Sequence, residues 1–539
     1  MSTIHSEGEE IGIVVGEAST TAFWFSTTQE QCPSKFDYIQ VKSREVIRGK
    51  LEEIEVLAQV ESIFSSSDAL KRAVSFDALS RIMMAGLEDL RVYGKARIMG
   101  YTSKATKDDV LIPRRSVAPG TKLRVASSSL LKEFYSFPAD EALSVGTLMT
   151  RPEVKVALTV SGFRRHLAII AQTGAGKSYC TGVLIEELLK MGATILILDP
   201  HADYVMLSKD KDGKAHKLSN RCKVFRNPAS TGRYSKKDIG NLEEYTIAFS
   251  DLTPDEIVEL AGVQSFQRIR DTFESVIANL LEEKKAFTPS DLVSKLEAKL
   301  KSASTQREKN DLQSALRYAR PITRMRVFSK TSTPIDKLLA PMQATTLDLS
   351  GLDHFSLDYI VCKLLGEVYS QVLSDEFPHP VFVFIEEAHN LIPAKNSTRS
   401  SPIIRRIAGE GRKFGVFLGV VTQRPSKIHS DTLSQCNSQI IMKLTNPKDQ
   451  DAVEDSSERM SKELLDDLPG LNPGEAVIVG PLTKTPVMVK IRTRETQEGG
   501  ADIDVKRALK IARKEAGIDE KLHAQRKKSA PFEGTFEEE

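Results

Sequence analysis

The sequence predicts an α/β protein preceded by a small all-β domain. Three features carry that expectation. Residues 1–150 read as short strands punctuated by turns, and from about residue 151 strands and helices alternate. Between them in character lies His166–Thr181, HLAIIAQTGAGKSYCT, in which a short apolar strand passes through a glycine-rich turn into a helix. At 539 residues the chain is too long for one core, and about three domains is a reasonable expectation. Hydrophobic residues make up 40% and charged residues 27%, a globular balance rather than that of a disordered or membrane protein. The 75 basic and 73 acidic residues leave a net charge of +2, so any nucleic-acid contact has to come from local patches. The density of both signs also permits ion-pair networks.

The five cysteines (Cys32, Cys180, Cys222, Cys362, Cys436) are scattered, with no C-x-x-C pair. That argues against a metal or disulfide framework and for a reducing compartment. The opening MSTIHSEGEE lacks the basic-then-apolar order of a signal peptide. No apolar run approaches the ~20 residues of a membrane helix. A cytoplasmic protein with no membrane contact is expected.

In chain order, the strands expected in the first domain are Ile11–Val15, Thr21–Ser26, Tyr38–Lys42, Glu53–Ile63, Arg91–Tyr101 and Lys122–Ala126. Turn signals stand at Gly16, Pro33-Ser34, Gly100 and Pro119-Gly120. Regular spacing with one interrupting helix near Asp77–Gly86 suggests a small barrel, a binding or assembly module without catalytic residues. The α/β part is expected over 151–253 and again over 341–494. Residues 254–340 form a helical insertion between them, with helices over Pro254–Val263, Phe266–Lys285 and Ser290–Arg320. Its charge run Glu282-Glu283-Lys284-Lys285 reads as a solvated face. Residues 495–539 are a charged C-terminal extension with a helix over Val505–Glu515 and a loose tail.

Ala171-Gln172-Thr173-Gly174-Ala175-Gly176-Lys177-Ser178, between a strand and the helical run Tyr179–Leu189, has the composition of a phosphate-binding P-loop. Gly174 and Gly176 let the backbone turn its N–H groups toward phosphate oxygens, and the helix N-terminus adds partial positive charge. Gln172 to Tyr179 are the candidate nucleotide contacts. Lys177 would reach the β- and γ-phosphates, and the Ser178 hydroxyl would ligate Mg²⁺. The usual pattern opens with Gly where this chain has Ala171, a position at the strand end.

Ala193–Leu198 is an apolar run of buried-strand type ending in Asp199-Pro200-His201-Ala202-Asp203-Tyr204. On a strand neighbouring the P-loop, Asp199 would lie near the phosphates; a turn-forming Asp-Pro is the other reading. Strand character resumes at Thr345–Leu349, and the helix Ser356–Leu373 follows. Val381–Ile385 is a β-prone run followed by Glu386 and Glu387. One carboxylate helps hold hydrated Mg²⁺ and the other polarises the attacking water. The generic order is Asp then Glu, so Glu386 departs from it; Glu387 takes the water-activating position.

A polar loop, Pro393–Ser401, carries Lys395 and Arg399. A helix follows, with Ser401 as N-cap and Pro402 first, and carries Arg405, Arg406, Glu410, Arg412 and Lys413. Val416–Val421 is another buried strand, whose tip places Gln423 to sense a γ-phosphate. Gln439–Lys443, Ala476–Val479 and Val487–Arg492 complete the expected strands.

AQTGAGKS, ILILDPHADY, FIEEAHNLIP and GRKFGVFLGVVTQRP, in that order, resemble the HerA helicase/translocase branch of the FtsK–HerA ATPases. The resemblance covers about residues 150–490 by motif, and the first 150 residues match that family's N-terminal barrel in position and length. It implies a RecA-like ATPase core using ATP and Mg²⁺, assembled as a homohexamer around double-stranded DNA. It also implies work with a NurA-type nuclease in archaeal DNA end resection and recombination repair, alongside the double-strand-break repair nuclease–ATPase complex. By the same resemblance Lys177, Ser178, Glu387 and Gln423 take the phosphate, Mg²⁺, water-activating and sensor positions. Arg412 resembles an arginine that contacts nucleotide phosphates. Arg165 matches one offered to the neighbouring subunit's nucleotide, with Arg164 as the adjacent rival. A translocase grips the DNA backbone with Lys and Arg; Arg233, Lys236, Lys237, Lys395 and Arg399 are the candidates. The alternatives are another ring motor of this superfamily, a conjugation or packaging ATPase, or a nucleotide-switched scaffold that recruits a nuclease without pumping DNA.

Overall fold

The structure is a computed structural model that describes residues 6–72, 74–87, 89–102, 109–283, 286–457, 460–500 and 505–516. It separates into two compact units, Met1–Glu498 and Gly499–Glu539. The second contributes the helix Val505–Glu515; the expected tail beyond residue 516 lies outside the described residues, as do Lys284 and Lys285 of the expected charge run.

The first strands are β1 (Glu10–Ala18), β2 (Ala22–Thr27), β3 (Tyr38–Ile47), β4 (Lys50–Ser66), β5 (Arg91–Tyr101) and β6 (Lys122–Val125). They close into an antiparallel barrel in the order β1-β2-β5-β4-β3-β6. Inward residues alternate along each strand, and Ile11, Phe23, Phe25, Val56, Val60 and Leu123 fill the interior. Gly16 and Gly100, expected at turns, lie inside β1 and β5 instead. Each has positive φ, +63° and +131°, beside a shift in strand register. They are bulges that bend the ribbon so that it can close. The helix Phe76–Met84 leaves the barrel between β4 and β5.

After the helix Ser128–Tyr135, the chain enters a large sheet with the hairpin β7 (Ala142–Leu148) and β8 (Lys155–Thr159). The boundary expected at residue 150 therefore falls inside this hairpin. The sheet continues through β9 (Leu167–Ile170), β10 (Thr194–Asp199), β11 (Cys222–Arg226) and β12 (Leu242–Glu244). A separate short pair, β13 (Ile247–Ala248) and β14 (Phe328–Ser329), stands beside it. The remaining strands are β15 (Ala344–Asp348), β16 (Val381–Ile385), β17 (Val416–Thr422), β18 (Ser438–Ile441), β19 (Glu475–Val479) and β20 (Val487–Ile491).

Among the described residues the sheet has twelve strands, ordered β12-β11-β15-β10-β16-β17-β9-β18-β19-β20-β7-β8. From β12 to β18 the pairings are parallel, and helices cover both faces. Ala168, Ile170, Leu196, Leu198, Val383 and Leu418 point to one face. Leu167, Ile169, Ile195, Ile197, Phe382 and Phe384 point to the other, where the helix Lys177–Lys190 packs. This two-sided burial explains why these strands read as continuous apolar runs.

The helical insertion comprises Pro254–Ala261, Gln267–Glu283, Pro289–Ser302 and Gln306–Arg324. The single helix expected over Ser290–Arg320 is two, because the Thr305 side chain accepts the Glu308 N–H and caps a new start. Likewise, Ser400 rather than Ser401 precedes the helix Ser401–Glu410. The barrel packs on the core through Tyr38 against Tyr135, ring centroids 5.8 Å apart, and through Arg97, which donates to Ser461 Oγ at 2.9 Å.

His166 clamps the start of β9. Its Nε2–H donates to the Ala408 carbonyl (3.1 Å), and its Nδ1 accepts the Leu418 N–H (3.0 Å). Burial pushes its pKa down to about 4, so the folded protein holds it neutral while the unfolded chain protonates near 6.5. Stability from this group is full above about pH 6.5 and is lost as pH falls toward 4, by at most about 3 kcal/mol. Urea unfolding across that window should show the loss, and His166→Gln should flatten it. Two glycines provide a second check. A Cβ at Gly480, φ +94°, would collide with the Asn437 carbonyl, whereas Gly366 has nothing within 4 Å. Gly480→Ala should lower the thermal midpoint, at a cost of roughly 1–3 kcal/mol, and Gly366→Ala, inside a helix, should raise stability by up to about 1 kcal/mol.

Candidate active site

The P-loop follows β9 where the parallel strands end. Gly174 (φ +78°) and Gly176 (φ +103°) adopt the left-handed backbone that the turn requires, and Gly176 precedes the helix Lys177–Lys190. Neighbouring loops brace the cradle. The Gln172 N–H donates to the Lys443 carbonyl (3.0 Å), and Gln172 Oε1 accepts the Thr445 hydroxyl (2.9 Å). The Ala175 carbonyl accepts the Gly474 N–H (3.0 Å). One turn into the helix, the Tyr179 hydroxyl accepts the Arg494 N–H at 2.7 Å.

Lys177 does not point into open solvent. Its ammonium donates to Glu386 Oε2 and lies 3.2 Å from Glu387 Oε1, with side-chain exposures of 8%, 1% and 5% respectively. Burial alone would lower the lysine pKa, but the two carboxylates raise it, so the ammonium is firmly charged. The Tyr204 hydroxyl donates to Glu386 Oε1. Burial, then the Glu386 charge, pushes the Tyr204 pKa well above its usual value. Glu387 has left-handed backbone (φ 48°, ψ 43°), a conformation that costs a non-glycine residue of order 1–3 kcal/mol and clusters at functional sites. Gln423 Nε2 donates to Glu387 Oε1 (2.7 Å), and the Thr173 hydroxyl donates to Gln423 Oε1 (2.5 Å). The sequence-predicted residues Thr173, Lys177, Glu386, Glu387 and Gln423 thus form one hydrogen-bonded group.

Ser178 Oγ donates to Asp203 Oδ2 at 2.6 Å, a carboxylate that sequence reasoning passed over in favour of Asp199. Two strands, β16 and β17, separate β10 from β9, so Asp199 is not on a strand next to the P-loop. Its buried carboxyl instead accepts the N–H groups of His201 (3.2 Å), Asp203 (3.1 Å) and Tyr204 (2.8 Å). Burial, with Asp203 nearby, pushes its pKa up to about 8. Asp199 folds the loop that delivers Asp203 and Tyr204. The signal was present in the DPHADY run, where the second Asp and the Tyr are the residues that reach the centre.

The three arginines stand elsewhere. Arg164 and Arg165 are exposed in the turn before β9, and Arg412 is exposed in the turn before β17. Because β9 and β17 are parallel, all three occupy the sheet edge opposite Lys177. The four residues of β9 put about 13 Å of strand between the edges. Within one chain these three arginines do not reach Lys177.

Of the candidate DNA contacts, Lys395 is exposed in the loop beyond β16, and Arg233, Lys236 and Lys237 are exposed in the segment beyond β11. The loops bearing Lys395 and Arg233 leave β16 and β11 on the P-loop side of the sheet, and Lys236 and Lys237 lie in the short helix Lys236–Ile239 that leads back to the start of β12. Arg399 is engaged. Its guanidinium donates to the carbonyls of Glu259 (3.0 Å) and Leu260 (3.1 Å), satisfying the end of the helix Pro254–Ala261. It also lies 5.0 Å from the Phe355 ring centroid.

The residues fit a nucleotide with Mg²⁺. Lys177 has only carboxylates as partners for its charge at the mouth of a glycine cradle. Ser178, Asp203 and Glu386 offer the hard oxygen donors that Mg²⁺ takes together with phosphate oxygens and water. No cluster of three or more His, Cys, Asp or Glu able to hold a metal occurs among the described residues. No helix among them is long and apolar enough to cross a membrane.

The family model for the central domain of helicase HerA matches residues 143–368. The DNA double-strand break repair helicase HerA of Pyrococcus furiosus is 30% identical, covering 92% of this chain and 96% of that protein. The helicase of the same name from Saccharolobus solfataricus is 27% identical, covering 92% and 94%. Among solved structures, VirB4 of Thermoanaerobacter pseudethanolicus is 13% identical with a TM-score of 0.48, over 67% of this chain and 98% of that one, a likeness too loose to add to the fold already described. The end-to-end match to the Pyrococcus helicase, on a sheet that carries an intact P-loop, shows that the chain belongs to the HerA family of helicases and is an ATP-hydrolysing enzyme.

Proposed function

We propose that this protein is an ATP-driven double-stranded DNA translocase that works as a homohexameric ring, acting with a NurA-type nuclease in DNA end resection for recombination repair. The observation that supports the ring most directly is the separation of Lys177 from Arg165 and Arg412 across the sheet. Arginines on the far edge serve only a neighbour's nucleotide, and an arginine given across an interface is worth ~10³–10⁵ in rate. ATP would supply the phosphoryl group, and Lys177 would exchange its carboxylate pair for the phosphates. Gly174, Ala175, Gly176 and Ser178 would cradle the phosphates through the backbone, and Ser178, Asp203 and Glu386 would hold the hydrated Mg²⁺. Glu387 takes the proton of the attacking water. Gln423, linked to both Thr173 and Glu387, reports the γ-phosphate. The chain's relatives are named for double-strand break repair, which favours DNA as the cargo.

For DNA the proposal retains Lys395, Arg233, Lys236 and Lys237 and gives Arg399 a structural role. For the nuclease it favours the barrel, whose outer face exposes Trp24, Phe64 and Tyr93 with ring centroids 5.5–6.1 Å apart. Exposed aromatic groups of this kind suit protein docking.

The first test is the ATP hydrolysis rate with and without blunt duplex DNA, with Lys177→Ala as the blank. Strong stimulation is expected; indifference to DNA would favour the scaffold reading. Glu387→Gln should slow hydrolysis by roughly 10²–10⁴ while nucleotide binding persists. Rings mixed from Lys177→Ala and Arg412→Ala subunits should regain activity that neither has alone, because mixing restores interfaces with one intact P-loop and one intact arginine. No recovery would remove Arg412 from the neighbouring subunit's site. Lys395→Ala should weaken DNA binding and shallow its salt dependence by about one ion, whereas Arg399→Ala should lower the thermal midpoint.

A further inference from the structure

Glu387 has a third partner besides Lys177 and Gln423. His389 Nδ1 lies 3.2 Å from Glu387 Oε2 and 3.2 Å from Thr422 Oγ1. Burial outweighs the pull of Glu387 and holds the His389 pKa below its usual value, so the contact is a hydrogen bond from a neutral ring. A neutral Nδ1 carries one proton at most and donates to Glu387 or to Thr422, not to both. Thr422 in turn accepts the Arg424 N–H at 3.0 Å. Thr422 is the last residue of β17 and is fully buried, so His389 joins Glu387 to the root of the loop that follows.

That loop carries exposed basic side chains. Arg424 precedes the short turn Pro425–Lys427, and Lys427 ends it. The Ala394 N–H donates to the Lys427 carbonyl at 2.7 Å, and Pro393 bridges to Ile428. These bonds tie the turn to the segment bearing Lys395, so Arg424, Lys427 and Lys395 move as parts of one unit. Backbone phosphates are what such a patch of cations binds. Sequence spacing alone hid the unit, since Arg424 lies 29 positions after Lys395.

We propose that His389 is the positioning residue through which DNA contact at this patch is relayed to Glu387. The inference rests on the DNA-motor reading above. Without DNA, His389 and Lys177 hold the Glu387 carboxylate in a turn that is already strained. A phosphate strand on Lys395, Arg424 and Lys427 shifts the Thr422–Arg424 root, the Nδ1 proton turns to Thr422, and Glu387 is released toward the water it activates. No bond is made or broken in the relay; one hydrogen bond changes partner.

The test measures two quantities on the full-length protein with blunt duplex DNA: the ratio of ATPase rates with and without DNA, and the DNA dissociation constant. In His389→Ala the ratio should fall by about tenfold, within the usual range of coupling between sites, with DNA affinity unchanged. His389→Asn, whose amide N–H occupies the Nδ1 position, should keep most of the ratio. A wild-type ratio in His389→Ala would overturn the relay, and so would an equal loss in both variants, which marks a packing role. Loss of DNA affinity in His389→Ala would overturn it too, by making His389 a contact. A wild-type protein that DNA does not stimulate would instead refute the DNA-motor reading itself, and the relay with it.

Discussion

The buried ammonium of Lys177, held between Glu386 and Glu387, is the interaction on which the rest of the centre depends. Three charges taken out of water are costly, and removing one partner of such a group leaves an uncompensated charge worth several kcal/mol. The lysine is therefore kept charged and correctly aimed, yet its partners are exchangeable. A polyphosphate offers more negative charge at the same place, with P-loop donors to share it. The same contacts hold both carboxylates in register with the loop. Tyr204 occupies the other oxygen of Glu386, and Gln423 shares Glu387 Oε1 with Lys177.

Parallel strands give the sheet a polarity that decides where each function sits. Every strand from β11 to β18 delivers its following loop to one edge. The P-loop, the paired carboxylates, Gln423, Asp203 and the loop bearing Lys395 all arrive there. Turns entering the strands are delivered to the other edge, and Arg164, Arg165 and Arg412 are among them. His166 stiffens that edge through its bonds to Ala408 and Leu418. A single chain thus carries the P-loop centre and these arginines on opposite sides of one sheet.

Much of this was legible in the chain. The P-loop, the Glu-Glu pair, the strand runs and the β-rich first domain follow from periodicity and turn chemistry, which act within a few residues. The errors were equally local in kind. A glycine inside a strand and a glycine at a turn look alike, so Gly16 and Gly100 were read as turns although both are bulges. Asp199 and Asp203 differ by four positions, and only the loop's fold shows that the first shapes it and the second reaches Ser178.

By itself, the sequence determined which segments become strands and helices and which residues can bind phosphate and carry out acid–base chemistry, because these depend on side-chain type and short-range spacing. Tertiary structure alone decided which of those residues meet. Strand order placed β16 and β17 between β10 and β9 and removed Asp199 from the centre. Strand direction sent the arginines to the far edge. Packing spent the Arg399 guanidinium on a helix end and brought His389 to Thr422. Pairing in a parallel sheet joins segments far apart in sequence, and nothing in a local window records which strand lies beside which.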